Sequence, residues 1–294
     1  MKITNEQNLP YGLVKAVSPE KHNAPGCISA TTLIQGIKQI LLTERHWEEL
    51  EDDVSNRIWA VFGTAVHSLL EAEGEDDFTE IDMKYKIGSV TVTGRIDNYN
   101  LKEGVIADYK STSVYKVKAE EFDDWYLQGM IYAWLLRKNN LPAYKCRFIA
   151  MLKDFSKTEA ERNSGYPQKP VYIYEFDVTE DRIAEIEKVI MKKILLYQQF
   201  KNVSDDDIPE CTSEERWAKK DIFAVKKDGC KTAIKLFDDK NQAEIYCNTL
   251  GKGHYVEFRQ GESLRCKRYC LCSSFCNFYH RLIREGKTQI NEAA

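Results

Sequence analysis

The hydrophobic period changes three times between residues 58 and 152, and this alternation limits the fold more than any other feature of the chain. Ile58, Val61, Phe62, Ala65, Val66, Leu69 and Leu70 recur at the spacing of one helix face, and Gly74 with the acids after it ends the run. Residues 82–88, 89–97 and 104–111 are then short stretches with β-branched and aromatic residues, separated by glycine or polar turns. They predict three strands joined as a meander. Helical spacing returns over residues 119–138, in Phe122, Trp125, Tyr126, Gly129, Tyr132, Ala133 and Leu136, and Pro142 follows it. Residues 146–152 and 171–178 read as two more strands. Residues 179–200 form an amphipathic helix, capped by Thr179 with Asp181 and Arg182 in its first turn. Strands interleaved with helices imply an α/β (α+β) chain with a mixed central sheet flanked by helices.

The flanks are plainer. The first 25 residues read as a polar lead-in. Residues 27–42 look like a helix start, capped by Ser29 or Thr31 and striped by Leu33, Ile37, Ile40 and Leu41, and the helix continues over 45–73. Residues 203–220 are polar, contain Pro209 and read as a linker. Residues 221–260 look like a small unit of their own: a hairpin turning at Asp228-Gly229, a helix and a strand. The expected boundaries are 26–202 for the core, 203–260 for a small α+β insertion, and 261–294 for a cysteine-rich segment with a terminal helix packing on the core.

Composition enters as a set of exclusions. The 294 residues suffice for one large domain or a core plus a smaller one, and 43% apolar with 30% charged residues reads as soluble and globular. No apolar run approaches the ~20 residues of a membrane span, and the polar start lacks a signal core, so a cytoplasmic protein with no membrane partner is expected. The net charge of −4 does not suggest a surface that holds nucleic acid throughout. Its distribution is uneven. Residues 71–82 carry seven acids and no base, whereas residues 216–240 hold eight Lys or Arg against four Asp. Residues 259–287 hold Arg259, Arg265, Lys267, Arg268, Arg281, Arg284 and Lys287 against Glu262 and Glu285. The C-terminal third is the expected phosphate-facing part.

The polar residues of the strands carry the chemistry. Asp97 ends the second strand of the meander, and Asp108 and Lys110 share one face of the third with Tyr109 opposite. A strand that otherwise reads Val-Ile-Ala buries an acid and a lysine only if a metal or a close ion pair compensates them. Asp97 and Asp108, with the backbone carbonyl of Tyr109 beside Asp108, offer the hard oxygen ligands that Mg²⁺ or Mn²⁺ takes. Such an ion acidifies water and screens phosphate charge, and Lys110 can orient that water or neutralise the phosphate. His67 and Glu71 lie four apart on one helix face and either can reach the ion, while Gln128 and Tyr132 form a similar pair on the later helix.

These residues resemble, in order and type, the RecB-like branch of the PD-(D/E)XK nuclease superfamily. His67 matches the helix histidine, Asp97 in Gly-Arg-Ile-Asp the GxxD acid, Asp108-Tyr109-Lys110 the (D/E)xK element, and Gln128 to Tyr132 the QxxxY motif. The resemblance implies a restriction-endonuclease-like core in which His67, Asp97 and Asp108 ligate metal, Lys110 is catalytic, and Gln128 and Tyr132 contact DNA.

Nine cysteines are present, and Cys266, Cys270, Cys272 and Cys276 fall within eleven residues, a density that points to a metal or cluster. Four thiolates can hold an iron–sulfur cluster or Zn²⁺. The resemblance extends here to AddB-related and CRISPR-associated RecB-like exonucleases, which carry a [4Fe–4S] cluster on one upstream cysteine and three C-terminal ones. It implies Cys211, Cys266, Cys270 and Cys276 as ligands, with Cys27 an alternative for the distant position and Cys272 an extra thiol able to replace one of them. Such a site would tie the last helix and its basic face to the core and set Arg265, Lys267 and Arg268 near the DNA path. Residues 28 to the end further resemble nucleases encoded by phages and prophages. That implies an exonuclease of phage recombination or replication acting inside a bacterial host cell, with DNA and a single-strand-annealing or recombination protein as partners. The alternative is an inactive nuclease fold that holds DNA ends or a partner.

Overall fold

The structure is a computed structural model that describes residues 1–18, 24, 26–72 and 78–285, the side chains of residues 71 and 72 excepted. The chain begins with β1 (Lys2–Thr4), α1 (Tyr11–Val17), β2 (Cys27–Ser29), α2 (Ala30–Leu33), α3 (Ile37–Arg45), β3 (Glu51–Asp53) and α4 (Val54–Ala72). The meander is β4 (Phe78–Ile87), β5 (Val90–Asn100) and β6 (Val105–Thr112). Then come α5 (Val114–Lys118), α6 (Asp123–Lys138), β7 (Lys145–Leu152), α7 (Lys157–Arg162), β8 (Val171–Asp177) and α8 (Glu180–Phe200). The remainder holds β9 (Ile222–Lys227), β10 (Lys235–Phe237), α9 (Lys240–Leu250), β11 (His254–Arg259), α10 (Leu264–Arg268), a 3₁₀ turn (Ser273–Phe275) and α11 (Asn277–Arg284).

Two compact units divide these elements. The larger holds Met1–Gln35 with Glu48–Lys201, and the smaller Gly36–Trp47 with Asn202–Ala294. This division differs from the expected boundaries at 26–202 and 203–260. Residues 36–47 leave the core because α3 carries a buried cation. Lys38 is 2% exposed, and its Nζ donates to the carbonyls of Asp205 and Ile208 at 2.8 and 2.9 Å. A buried ammonium needs such partners, and the 205–208 segment supplies them. The expected continuous helix over residues 27–73 is likewise interrupted. Cys27–Ser29 pair as a strand, Gly36 separates α2 from α3, and β3 precedes α4. The lead-in is ordered in part, since β1 pairs in parallel with β3.

The sheet of the larger unit has six strands in the order β2-β5-β6-β7-β8, with β4 on β5. β4 runs antiparallel along nearly the whole of β5. The other edge of β5 is shared. β2 takes Thr91–Thr93 in parallel, and β6 takes Asn98–Asn100 antiparallel. The stretch Gly94 to Asp97 lies between these two ladders. β6 and β7 run parallel over eight pairs, and β8 closes the edge antiparallel. The sheet is therefore mixed, as the sequence leads one to expect.

The core lies under α6. Met130, Ala133, Trp134, Leu135 and Leu136 are fully buried, together with Phe148 and Ala150 of β7. Gly94 permits the close approach of this helix, because a Cβ there would meet Leu135 at 2.8 Å and the Tyr132 ring at 3.0 Å. α8 follows its predicted stripe, burying Ile183, Ile186, Ile190, Ile194 and Tyr197. Each such isoleucine contributes roughly 1.5–3 kcal/mol by leaving water.

The smaller unit includes a three-stranded antiparallel sheet, β10-β9-β11, covered by α9. Val225, Ala243 and Cys247 form its centre, with Phe223, Phe237, Tyr246, Leu250 and Val256 packed around them. Asp239 caps α9 by accepting from the Gln242 amide at 2.8 Å. No described helix is long and apolar enough to cross a membrane.

Candidate active site

The acids of the site sit where the β5–β6 ladder parts. Pairing stops at Asn98↔Ala107, one step before Asp97 and Asp108 would face each other. The amide of Tyr109 then has no strand carbonyl to reach. It donates instead to Asp97 Oδ2 at 2.8 Å, which pins that carboxylate. On the opposite edge of β5 the ladder with β4 keeps its register but skips the Glu80–Asp97 position, between Thr79↔Asn98 and Ile81↔Ile96. Glu80 has a φ of 51°, a left-handed backbone that is rare for a non-glycine residue. Such local strain re-aims a side chain and is found at functional sites more than elsewhere. Glu80 Oε2 also lies 3.2 Å from Arg95 Nε.

His67 reaches the same place from α4. That helix starts where it does because Asp53 accepts hydrogen bonds from the amide and hydroxyl of Ser55, at 2.9 and 2.6 Å. Asp53 also accepts from Thr4 Oγ1 and from the Glu6 amide, so the N-terminal strand helps to set the helix. Fourteen residues later His67 Nδ1 stands 3.3 Å from Asp97 Oδ2. Its ring meets Tyr109 edge-on at 6.5 Å. The hydrogen bond to Asp97 raises the proton affinity of the imidazole above its usual value, against the opposing effect of burial. Ligand atoms of His67, Glu80 and Asp97 all lie within 4.8 Å of one another, the single such group of three among the described residues. One imidazole and two carboxylates are a donor set that suits Mn²⁺ or Mg²⁺. Gly63, Thr64, Ser68 and Arg95 line a cleft with His67 and Glu80.

Asp108 is set deeper, at 1% exposure. Gln128 Nε2 donates to its Oδ1 at 3.0 Å. Its Oδ2 lies 2.8 Å from Lys110 Nζ as an ion pair, and no hydrogen bond of good angle reaches that atom. Burial pushes the Asp108 carboxyl up to about 6, against the pull of Lys110, with Asp97 adding to the rise. A buried carboxylate oxygen short of donors is a natural place for a cation to bind. Lys110 Nζ also donates to Gln128 Oε1 at 2.9 Å, and Gln128 Nε2 donates to Tyr132 Oη at 2.8 Å. The amide of Gln128 thus joins Asp108, Lys110 and Tyr132. Gln128 is 6% and Tyr132 4% exposed. Both side chains point inward, and in this structure they brace the acid and the lysine from α6.

The sequence reading missed Glu80. It named Glu71 instead, whose side chain lies outside the described residues. The signal existed in the acidic run 71–82, whose end enters β4, but nothing in the period marked one of its seven acids as turned inward.

The second candidate centre is in the smaller unit. Cys211 packs against the first turn of α3. A Cβ on Gly36 would sit 2.5 Å from Cys211 Sγ, so only glycine fits at that helix start. Gly36 is the N-cap and offers no side-chain cap of its own. The backbone of Gln39 hydrogen-bonds Cys211, a helix N-terminus facing sulfur. Burial pushes the Cys211 thiol up to about 11, with Glu215, Cys270 and Cys276 adding to the rise. Burial likewise pushes Cys266 up to about 12, with Cys270, Cys211 and Cys276 adding to it. These four cysteines are thus near enough to feel one another's charge. Cys270 is raised first by its hydrogen bond with Cys272, at 3.6 Å between sulfurs, and then by burial. Cys272 is 1% exposed and donates weakly to the Gln39 carbonyl at 3.8 Å. Cys27 belongs to β2 of the larger unit.

No curated protein sequence matched the chain. Among solved structures it is similar to SSO0001, at 20% identity and a TM-score of 0.43, over 63% of this chain and 82% of that one. It is also similar to a phage-related exonuclease from Haemophilus somnus 129PT, at 11% identity and a TM-score of 0.40, over 58% and 93% of the two chains. A third is the alkaline exonuclease LHK-Exo from Laribacter hongkongensis, at 8% identity and a TM-score of 0.37, over 59% and 89%. The sequence profile of the PD-(D/E)XK nuclease superfamily matches residues 34–277, most of the length of the chain. Its mixed sheet, its Asp-Tyr-Lys strand and this match have one meaning: the chain belongs to the PD-(D/E)XK nuclease superfamily.

Proposed function

We propose that this protein is a Mg²⁺- or Mn²⁺-dependent deoxyribonuclease that degrades DNA from an end. The observation that carries the reading is the buried Asp108–Lys110 pair at 2.8 Å, beside the convergent His67, Glu80 and Asp97. A divalent ion held by His67, Glu80, Asp97 and Oδ2 of Asp108 would supply a Lewis acid for the scissile phosphate and lower the proton affinity of the attacking water. The protein's own groups do the rest. The Tyr109 amide fixes Asp97, and Gln128 hydrogen-bonds both Lys110 and Asp108. Lys110 can then present its ammonium to the negative charge that builds on phosphate oxygens, in a site whose low dielectric strengthens the attraction. Gln128 and Tyr132 act as positioning residues. Action from an end, and a role in phage recombination or replication in a bacterial cell, rest on the QxxxY motif and the cysteine segment.

We infer in the same way that Cys211, Cys266, Cys270 and Cys276 hold a [4Fe–4S] cluster. Mutual charge coupling among these thiols supports the set. The Gly36 cradle seats Cys211 against the first turn of α3, where the Gln39 backbone hydrogen-bonds it.

End-labelled single-stranded and duplex DNA, incubated with Mg²⁺, Mn²⁺ or chelator, tests the first reading. Progressive loss of label with either metal and none with chelator is the expected result. Tight DNA binding without cleavage under all conditions would instead make the protein a binding module.

A further inference from the structure

Helix α4 carries more than the metal-site histidine. Trp59, Gly63 and His67 lie at i, i+4 and i+8, one ridge of the helix. Gly63 has nothing within 4 Å of where a Cβ would be, so the ridge is open between its two ends. At the far end Trp59 and Phe62 form a ring pair, 5.4 Å between centroids at an interplanar angle of 36°. They are 54% and 55% exposed. Lys153 Nζ sits 4.3 Å from the Trp59 ring centroid. Lys153 follows β7 directly, and its amide donates to the Thr112 carbonyl at the end of β6. The aromatic pair and its lysine therefore stand at the same strand ends as the catalytic face.

An exposed tryptophan–phenylalanine pair is costly to leave in water, and such patches commonly mark a binding surface. The ridge is continuous with the cleft beside His67, which points to the substrate strand as occupant. A cation at the ring adds complementarity to phosphate. Eight residues of helix rise ~12 Å, close to the length of three stacked bases.

We propose that Trp59 and Phe62 are a stacking platform for unpaired bases of the strand whose phosphate enters the metal site, with Lys153 turning from the ring to a backbone phosphate. This rests on the nuclease reading and deepens it. The platform selects a single-stranded or frayed end, because a duplex covers both faces of every base except those of its terminal pair, whereas unpaired bases can present several faces along the ridge. Aromatic stacking of this kind tolerates any sequence.

The test is binding of a dye-labelled 12-nucleotide oligothymidylate and of a blunt 20-base-pair duplex, read by anisotropy with Ca²⁺ in place of the catalytic ion. Trp59→Leu and Phe62→Leu keep apolar area and lose the flat ring. Each should weaken oligothymidylate binding about 5- to 100-fold and duplex binding by less than about twofold. Trp59→Phe should recover most of the single-strand affinity. KM for single-stranded substrate should rise by the factor seen in binding. Single-strand affinity unchanged in both leucine variants would overturn the proposal. So would equal losses on both DNAs, or a wild-type dimer that Trp59→Leu dissociates while DNA affinity stays the same. Absence of metal-dependent cleavage in the wild type would overturn the nuclease reading instead. That outcome is separate, since the binding assay needs no turnover.

Discussion

The two candidate centres are built in opposite ways. The acid site hangs on regular structure. Asp97, Asp108 and Glu80 are strand residues, His67 is on a long helix, and each is held by a backbone or side-chain partner. The thiol site hangs on short pieces: a five-residue helix at Cys266, a 3₁₀ turn between Cys272 and Cys276, and an irregular segment at Cys211. Its thiols are pushed up rather than stabilised as thiolates. A group bound in the first would join a scaffold already organised by the sheet and supply chemistry. A group bound in the second would supply the organisation, because metal–thiolate bonds would offset the charge repulsion and the entropy of a long loop.

Removing one residue from each centre should have different consequences. Asp108→Ala or Lys110→Ala should reduce cleavage at least about a thousandfold, of the order seen when a preorganised charge is lost from a reaction site. Circular dichroism and DNA affinity should stay near wild type. Full cleavage by Asp108→Ala would show that the assignment is wrong.

Cys211→Ser comes next. It should abolish the bound group, read as lost iron content and lost broad absorption near ~400 nm. It should also make the C-terminal third sensitive to limited proteolysis while the larger unit survives. Cys230 is exposed, and Cys230→Ser should change neither. A colourless zinc protein would keep the ligand set and replace the cofactor, and a Cys211→Ser variant that retains iron would transfer the role to Cys27 or Cys272.

Glu80→Gln tests the residue that sequence reading passed over. It should raise the Mn²⁺ concentration for half-maximal activity about 10- to 100-fold, a typical cost of disturbing a metal site. Metal titration of cleavage rates measures it. An unchanged metal requirement would leave Glu80 as the partner of Arg95 alone.

The smallest expected effect is on stability. Burial raises the Asp108 carboxyl to about 6 from an ordinary 3.8, so the metal-free fold binds a proton that the unfolded chain releases. That contribution is complete below pH 3.8 and is lost as pH rises to about 6. Asp108→Asn, free of this titration, should therefore melt above the wild type at pH 7 without metal, and the gap should narrow toward pH 4. Differential scanning fluorimetry across that range reads it. A gap of opposite sign would mean that the Lys110 pair outweighs burial.

Much of the catalytic face was legible in the sequence because strand and helix periods are local. The spacing of Asp108 and Lys110 puts them on one face whatever the rest of the chain does. The run from Trp125 to Leu136 marks a helix, although its burial all round left little amphipathic contrast for the period to report. Glu80 and α3 were not legible. Glu80 becomes a ligand candidate only because the β4 ladder skips a pair opposite Asp97, and a skipped pair depends on the neighbouring strand. α3 belongs with the smaller unit because Lys38 finds its carbonyls at residues 205 and 208, and Arg45 and His46 pair with Asp205, far along the chain.

Periods of 3.6 or 2 residues are local, so they mark the long central elements and the side chains that share a face on them, but not the breaks at Cys27–Ser29, Gly36 and β3. Residue types likewise show the ligands on offer, carboxylates in one part and thiols in another. Where the β5–β6 ladder parts, how Glu80 turns toward Asp97, and the joining of Asp108 to Lys110 by Gln128 are settled by contacts between segments. Those outcomes depend on competition for buried hydrogen-bond donors and acceptors, and distant segments enter that competition only once the chain has folded.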